Sequence, residues 1–127
     1  MKRAVNKDDS TKREKLGQYN TSLECTDSII SELSGVEKDT LFIEPSFGSG
    51  NFIKSINKSH NNQIIGVEID EELFTEFNES NSDDKIKTYN LNFYDFNLKD
   101  QDLSGISNIQ IVGNPPYRTP ALSEFQL

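Results

Sequence analysis

Cysteine and histidine are almost absent from this chain. Its 127 residues include a single cysteine, Cys25, and a single histidine, His60. One cysteine cannot form an internal disulfide, and one residue of each type does not provide the ligand spacing of a zinc site. The sequence therefore predicts a domain without a disulfide and without a metal.

Long apolar runs are missing as well. No stretch approaches the roughly 18 apolar residues of a membrane span, and the polar N-terminus has no apolar signal-peptide core. Apolar residues make up 33% of the chain and charged residues 27%, which is typical of a globular protein. We therefore expect a single soluble domain in the cytoplasm, with no membrane contact.

Basic residues are scarce and unevenly placed. The formal net charge is −8, but residues 1–18 carry +3, so residues 19–127 carry −11. Residues 1–18 have no hydrophobic periodicity and are predicted to be a flexible basic arm, followed by the folded domain at 19–127. Contacts with phosphate groups require lysine and arginine. Because residues 19–127 are acidic, we expect another polypeptide to make most of the contacts with nucleic acid.

Apolar segments and helical patterns alternate along the domain. Strands are predicted at residues 40–43, 63–67, 86–89 and 109–112. Strands separated by helices indicate right-handed βαβ units and a parallel sheet, hence the α/β class. Another helix precedes them, with capping-box spacing from Thr21 to Glu24. Its predicted apolar stripe is Leu23, Ile29, Ile30 and Leu33.

The segment after the first strand is rich in glycine. It reads Glu44-Pro45-Ser46-Phe47-Gly48-Ser49-Gly50. Gly48 and Gly50 allow a tight turn and a close backbone approach to a ligand, although the spacing is neither the G-x-G-x-x-G fingerprint nor a P-loop. An ordinary strand-to-helix turn is the alternative interpretation.

Acidic side chains follow the second and third strands, at the edge where open parallel sheets bind ligands. Glu68 is a candidate for both hydroxyls of a ribose, and Ile69 for one face of an adenine ring. Asp70 is better explained as a helix N-cap. Asp95 is a candidate acceptor for an adenine amino group, with Phe96 against the ring, unless these residues belong to a loop that packs into the core.

The tetrapeptide Asn114-Pro115-Pro116-Tyr117 follows the fourth strand. Its prolines fix the backbone and remove two N–H donors. Carbonyl oxygens, the Asn114 amide and the flat Tyr117 ring therefore remain, a set suited to the exocyclic amine of a nucleobase. A proline-rich turn is the structural alternative.

In this order, the segments resemble the class I S-adenosylmethionine-dependent methyltransferases, and most closely the gamma-type DNA adenine-N6 enzymes. Gly17-Gln18-Tyr19-Asn20-Thr21 is similar to their N-terminal cofactor motif, and residues 44–52 to their glycine-rich one. Residues 114–117 are similar to their catalytic motif. The resemblance spans roughly residues 16–118.

The resemblance implies a Rossmann-like fold with a partial sheet of order 3-2-1-4 and bound S-adenosylmethionine. Thr21 would lie near the amino-acid end of the cofactor, and the glycine-rich motif along its methionine portion; the motif residues concerned are Glu44, Pro45, Gly48 and Gly50. Glu68 would bind the ribose, and Asp95 and Phe96 would surround the adenine. Asn114, Pro115, Pro116 and Tyr117 would transfer the methyl group to N6 of an adenine flipped out of double-stranded DNA. A restriction-modification role is implied.

Four alternatives accompany this resemblance. The domain is predicted to be truncated after the catalytic motif, so it could be an inactive fragment, or a split-enzyme subunit that binds cofactor while a second polypeptide supplies the remaining strands and target recognition. The same tetrapeptide occurs in methyltransferases of protein glutamine, whose first motif differs from Glu44-Pro45-Ser46. Ribosomal RNA adenine dimethylases usually have leucine where Pro115 stands.

Overall fold

The computed structural model describes residues 21–113, so the predicted arm at 1–18 and the tetrapeptide at 114–117 lie outside the described residues. The elements, in chain order, are α1 (Leu23–Ser31), β1 (Thr40–Glu44), α2 (Asn51–Ser59), β2 (Ile64–Val67), α3 (Glu71–Ser80), β3 (Ile86–Tyr89) and β4 (Asn108–Ile111). Two 3-10 turns, Phe93–Asp95 and Leu98–Asp100, lie between β3 and β4. Within this range no helix has the length and apolar character needed to cross a bilayer.

The four strands of residues 21–113 form one parallel sheet in the order β3-β2-β1-β4. Phe42 of β1 lies opposite Ile64 of β2 on one side and Gln110 of β4 on the other. Strand order therefore reverses at β1, and its carboxyl end is where such folds bind ligands. The predicted α/β class and the order 3-2-1-4 are confirmed.

Apolar layers cover both faces of the central strands. Phe42 and Ile64 pack with α2 on one face, while Ile43 and Val67 pack with Phe93 on the other. Every residue of β1 and β2 is buried. Parallel strands buried on both faces have nearly continuous apolar sequences, which is why these two strands were recognisable in the sequence.

Strand β4 lies at an edge of the sheet and is exposed along its length. Ile109 and Ile111 pair with Leu41 and Ile43 of β1, yet remain 43% and 39% exposed. Among residues 21–113, no strand pairs with the outer side of β4. The predicted edge position of this strand is therefore confirmed.

Helix α1 differs from its prediction in two ways. The N-cap is Ser22, whose hydroxyl accepts a hydrogen bond from the Cys25 amide at 3.2 Å, and not Thr21. Half of the predicted apolar stripe is wrong, because Leu23 and Ile29 are 45% and 46% exposed, whereas Ile30 is buried and Leu33 packs against the core as predicted. The buried residues of α1 are Thr26 and Ile30, so the helix packs on a partly polar contact.

Thr26 is the centre of that polar contact between α1 and α2. Its hydroxyl lies 2.7 Å from the Ser55 hydroxyl, 3.0 Å from the Leu23 carbonyl and 3.3 Å from the Asn51 carbonyl. Thr26→Val keeps the shape but removes these bonds, so we expect a loss of roughly 1–2 kcal/mol in the free energy of unfolding. Urea denaturation measures it. The exposed Thr75→Val is the control, and equal stability of both variants would contradict the prediction.

Candidate active site

Backbone hydrogen bonds join the loops that follow the parallel strands. The Phe47 amide donates to the Val67 carbonyl at 3.1 Å, and the Glu68 amide donates to the Tyr89 carbonyl at 3.0 Å. The Val112 amide donates to the Ile43 carbonyl at 2.9 Å. The carboxyl ends of all four strands therefore meet at one edge, and the chain leading to Asn114 lies beside the end of β1.

The glycine loop, defined here as residues 45–50, requires glycine at its turn. Gly48 and Gly50 have positive φ angles of 56° and 86°, a region that side chains disfavour. A Cβ at Gly50 would also lie under 3.0 Å from the Phe77 ring. The Gly50 amide donates to the Phe47 carbonyl at 2.7 Å, and Gly50 is the N-cap of α2. Backbone and helix N-terminus are thus presented at the ligand-binding edge.

Glu68 joins the glycine loop to the loop after β2. Its side chain is fully buried, and its two carboxylate oxygens accept from the Gly48 amide at 2.7 Å and the Asp70 amide at 2.8 Å. The structure thus gives Glu68 a structural role in addition to the ribose contact predicted for it. That contact stays a prediction.

The neighbours of Glu68 separate into structural and accessible residues. Asp70 is the N-cap of α3 and accepts from the Glu72 and Leu73 amides, which confirms the capping interpretation. Ile69, between the two acids, is 41% exposed and presents an apolar surface at the edge, as its predicted contact with adenine requires.

Glu44 is the second buried acid at this edge. It is 1% exposed, and its Oε1 accepts from the Ser46 amide at 2.9 Å. Burial raises the pKa of Glu44 well above its ordinary value of 4.5; the Ser46 bond opposes this shift, and the negative charge of Glu68 adds to it. Pro45, also buried, continues the chain into the glycine loop.

The raised pKa of Glu44 makes stability depend on pH. The folded chain holds a proton on Glu44 at pH values where the unfolded chain has released it. The contribution of Glu44 to the free energy of unfolding therefore falls as the pH rises from about 4.5 through the pKa of the folded state. Glu44→Gln mimics the neutral acid and is expected to raise Tm at pH 8, by roughly 4–8 °C for each 1 kcal/mol of stability that it restores. The exposed Glu76→Gln is the control. A wild-type chain and a Glu44→Gln chain with parallel Tm profiles from pH 4 to 8 would contradict this.

Asp95 and Phe96 follow β3, as predicted, but they differ in environment. Asp95 ends a 3-10 turn and is exposed at the surface. Phe96 is partly buried and packs on the core, with ring centroids 5.9 Å from Phe93 and 5.7 Å from Tyr89. Phe96 therefore has the core role of the alternative interpretation, while the predicted adenine contacts of both residues stay untested.

Thr21 lies beside the glycine loop although it precedes β1 by many residues. Its carbonyl accepts from the Asn51 side chain at 2.8 Å, which ties it to the first residue of α2. The structure therefore places Thr21 close to Gly50, as a shared site requires. Asn114, Pro115, Pro116 and Tyr117 lie outside the described residues.

Two residues at this edge were missed in the sequence. The Asn90 side chain donates to the carbonyls of Glu68 and Ile69 at 2.8 Å and 3.2 Å, which holds the loop after β2. Gly113 lies against the carboxyl group of Glu44. Two sequence features could have identified these residues: an asparagine directly after a predicted strand, and a glycine directly before Asn114. Residues 21–113 contain no cluster of side chains suited to a metal ion.

An open parallel sheet with a glycine loop after β1 and an acidic residue after β2 is typical of folds that bind a nucleotide-containing cofactor at the strand ends. The family model for ribosomal RNA adenine dimethylase matches residues 9–122. The chain therefore belongs to the ribosomal RNA adenine dimethylase family. This family is one of the alternatives given above. Pro115 argued against it, because these enzymes usually have leucine at that position.

Solved structures support the same fold. TYW2 of Pyrococcus horikoshii, in a complex with MeSAdo, has a TM-score of 0.50 and 19% identity over 57% of this chain. A putative methyltransferase of Haloferax volcanii in complex with the Trm112 activator has a TM-score of 0.50 and 13% identity over 70% of this chain. The chain spans only 28% and 37% of those two chains. No curated protein matches it.

The family assignment confirms S-adenosylmethionine as the cofactor, and the edge residues fit it. The cofactor carries a positive sulfonium and an ammonium group, and Glu44 provides a buried carboxyl that, among residues 21–113, forms no ion pair. Ile69 provides an exposed apolar face, and the positive φ angles of Gly48 and Gly50 set the course of the loop beside it.

Proposed function

We propose that this chain carries the catalytic site of a cytoplasmic, S-adenosylmethionine-dependent methyltransferase that modifies N6 of adenine in DNA. The observation that carries the proposal is the pairing of β4 with β1. Because the Val112 amide is hydrogen-bonded to the Ile43 carbonyl, the chain at Val112 lies beside the end of β1, and Asn114 follows two residues later in the sequence. An amine-binding tetrapeptide thus follows directly from the strand next to the candidate cofactor site.

Each residue at the edge has a proposed part in cofactor binding. Thr21 and the glycine loop, including Pro45, face the amino-acid portion, and Glu44 offers a carboxyl to its positive charge. Glu68 accepts from the ribose hydroxyls, Ile69 contacts the adenine ring, and Asp95 with Phe96 completes the adenine site. When bound, the cofactor supplies an electrophilic methyl group on a sulfonium.

The tetrapeptide would activate the target amine. The Asn114 side-chain oxygen and the Pro115 carbonyl accept from the two N–H bonds of N6, which favours a pyramidal nitrogen with an available lone pair. The positive charge that develops on nitrogen is stabilised by these acceptors and by the face of Tyr117. Pro116 fixes the backbone between them. The methyl group would pass from the sulfonium sulfur to N6, so that a carbon–sulfur bond breaks as a carbon–nitrogen bond forms, and the methylated amine would release one proton to solvent.

DNA is proposed as the substrate because of the sequence motifs. The sequence contains both Glu44-Pro45 and Asn114-Pro115-Pro116-Tyr117, and this combination is similar to the motifs of the DNA adenine-N6 methyltransferases. The target base must leave the duplex to reach such a site. A restriction-modification role belongs to the same proposal.

RNA adenine is the second candidate, and the family match is the observation that favours it. The chemistry at N6 would be the same for both nucleic acids, and the difference lies in which polymer is bound. With 17 acidic and six basic residues at positions 21–113, the described domain offers little positive charge to either polymer. We therefore propose that a second polypeptide contributes to nucleic-acid binding.

Transfer of labelled methyl groups tests the proposal. The chain is incubated with labelled S-adenosylmethionine and with single-stranded and duplex DNA and RNA of one sequence. Matched polymers with every adenine already N6-methylated serve as controls. Each reaction is repeated with the polypeptide encoded immediately downstream.

The substrates distinguish the outcomes. Label in unmethylated DNA supports the proposal, and label in RNA alone supports the second candidate. Activity only in the mixture indicates a split enzyme. No label in any reaction, with cofactor binding retained, refutes the enzymatic role on nucleic acid and indicates a cofactor-binding module.

A further inference from the structure

Gly113 lies at the junction between the glycine loop and the tetrapeptide. Its φ angle is +116°, and a Cβ built on it would lie under 3.0 Å from both carboxylate oxygens and Cδ of Glu44. The backbone at position 113 therefore lies directly against the Glu44 carboxyl group. Neither the backbone angle nor the available space accommodates a side chain there.

The Glu44 side chain is poorly able to move away. It is 1% exposed, and its Oε1 is bonded to the Ser46 amide at 2.9 Å. Its own backbone follows Ile43, whose carbonyl accepts from Val112, the residue before Gly113. The carboxyl group thus fills the space between the start of the glycine loop and the end of β4.

We propose that Glu44 is a positioning residue for the tetrapeptide, acting through its contact with Gly113, in addition to its proposed part in cofactor binding. The carboxyl surface sets how closely the chain at Gly113, the residue before the tetrapeptide, approaches the glycine loop. This inference rests on the proposed function.

A mutant cycle separates this role from cofactor binding. The four chains are wild type, Gly113→Ala, Glu44→Ser and the double variant, in which the shortened side chain leaves room for the added methyl group. Gly105→Ala is the control, because Gly105 has a φ of +79° and nothing within 4 Å of its Cβ position. Measurements are kcat, KM for the cofactor and the free energy of unfolding.

We expect Gly113→Ala to lower kcat by about 100-fold, the cost of a small misplacement of reacting groups, with KM for S-adenosylmethionine changed by less than about threefold. Gly105→Ala should leave kcat nearly unchanged. In the Glu44→Ser background, Gly113→Ala should cost far less, because the two changes share one contact. Equal fold-losses in both backgrounds, or a Gly113→Ala variant as active as Gly105→Ala, would overturn the inference.

The unfolding measurements distinguish failure of this inference from failure of the proposed function. A wild-type chain that methylates no nucleic acid refutes the proposed function and with it the positioning role. In that case, a non-additive cycle in unfolding free energy still establishes the contact between Glu44 and Gly113. An active wild type with additive kcat losses refutes the positioning role alone.

Discussion

Asn114→Ala is expected to abolish methyl transfer while leaving the affinity for S-adenosylmethionine within about threefold of wild type. The variant removes one of two acceptors for the target amine, so the developing positive charge loses stabilisation in the transition state. Loss of one such preorganised group lowers kcat by about 10²–10³-fold. Single-turnover transfer of a labelled methyl group measures the loss, and calorimetric titration measures the cofactor affinity.

Asn108→Ala is the matched control for this experiment. Asn108 is an exposed residue of β4, and within residues 21–113 its side chain donates only one long hydrogen bond, 3.4 Å, to the Ser107 hydroxyl. It has no proposed part in binding or chemistry, so its variant should retain wild-type transfer. An Asn114→Ala chain as active as the Asn108→Ala chain would remove the tetrapeptide from the mechanism.

Glu68→Ala is expected to reduce both stability and cofactor affinity. The substitution leaves the amides of Gly48 and Asp70 without their carboxylate acceptor in a buried environment. At about 1–3 kcal/mol for each buried unsatisfied donor, the free energy of unfolding should fall by roughly 2–6 kcal/mol. Cofactor affinity should fall by at least about tenfold, since the glycine loop loses its anchor.

A milder variant keeps this prediction testable if Glu68→Ala does not fold. Glu68→Gln retains one acceptor oxygen, so it should lose roughly half as much stability. The exposed Glu76→Ala controls for loss of an acid from the surface. Urea denaturation and calorimetry measure stability and affinity. A Glu68→Ala chain indistinguishable from Glu76→Ala in both would show that Glu68 does not organise the edge.

The strands could be predicted because burial on both faces leaves a simple pattern. Residues 86–89 were assigned correctly, and the other three strands within one residue at each end. Helix α1 was less predictable, because hydrophobic periodicity favoured Leu23 and Ile29 over Thr26. Thr26 is buried by hydrogen bonds to α2, and a polar contact of this kind leaves no apolar signal in the sequence.

The candidate site was predictable in location but not in its internal bonding. Glu44, Glu68 and Asp95 each follow a strand, and parallel topology brings such positions to one edge. The bond between Glu68 and Gly48 depends on how two separate loops fold against each other. The position of Gly113 against Glu44 depends on the pairing of β1 with β4. Neither contact follows from local sequence.

The most direct test of adenine-N6 transfer is the chemical identity of the product. DNA and RNA incubated with the chain and a deuterated methyl donor are digested to nucleosides and analysed by mass spectrometry. We expect deuterated N6-methyldeoxyadenosine from DNA, formed at least about 100-fold more slowly by the Asn114→Ala chain. The methyl group on any other nucleobase atom, or in RNA alone, would contradict the proposed function.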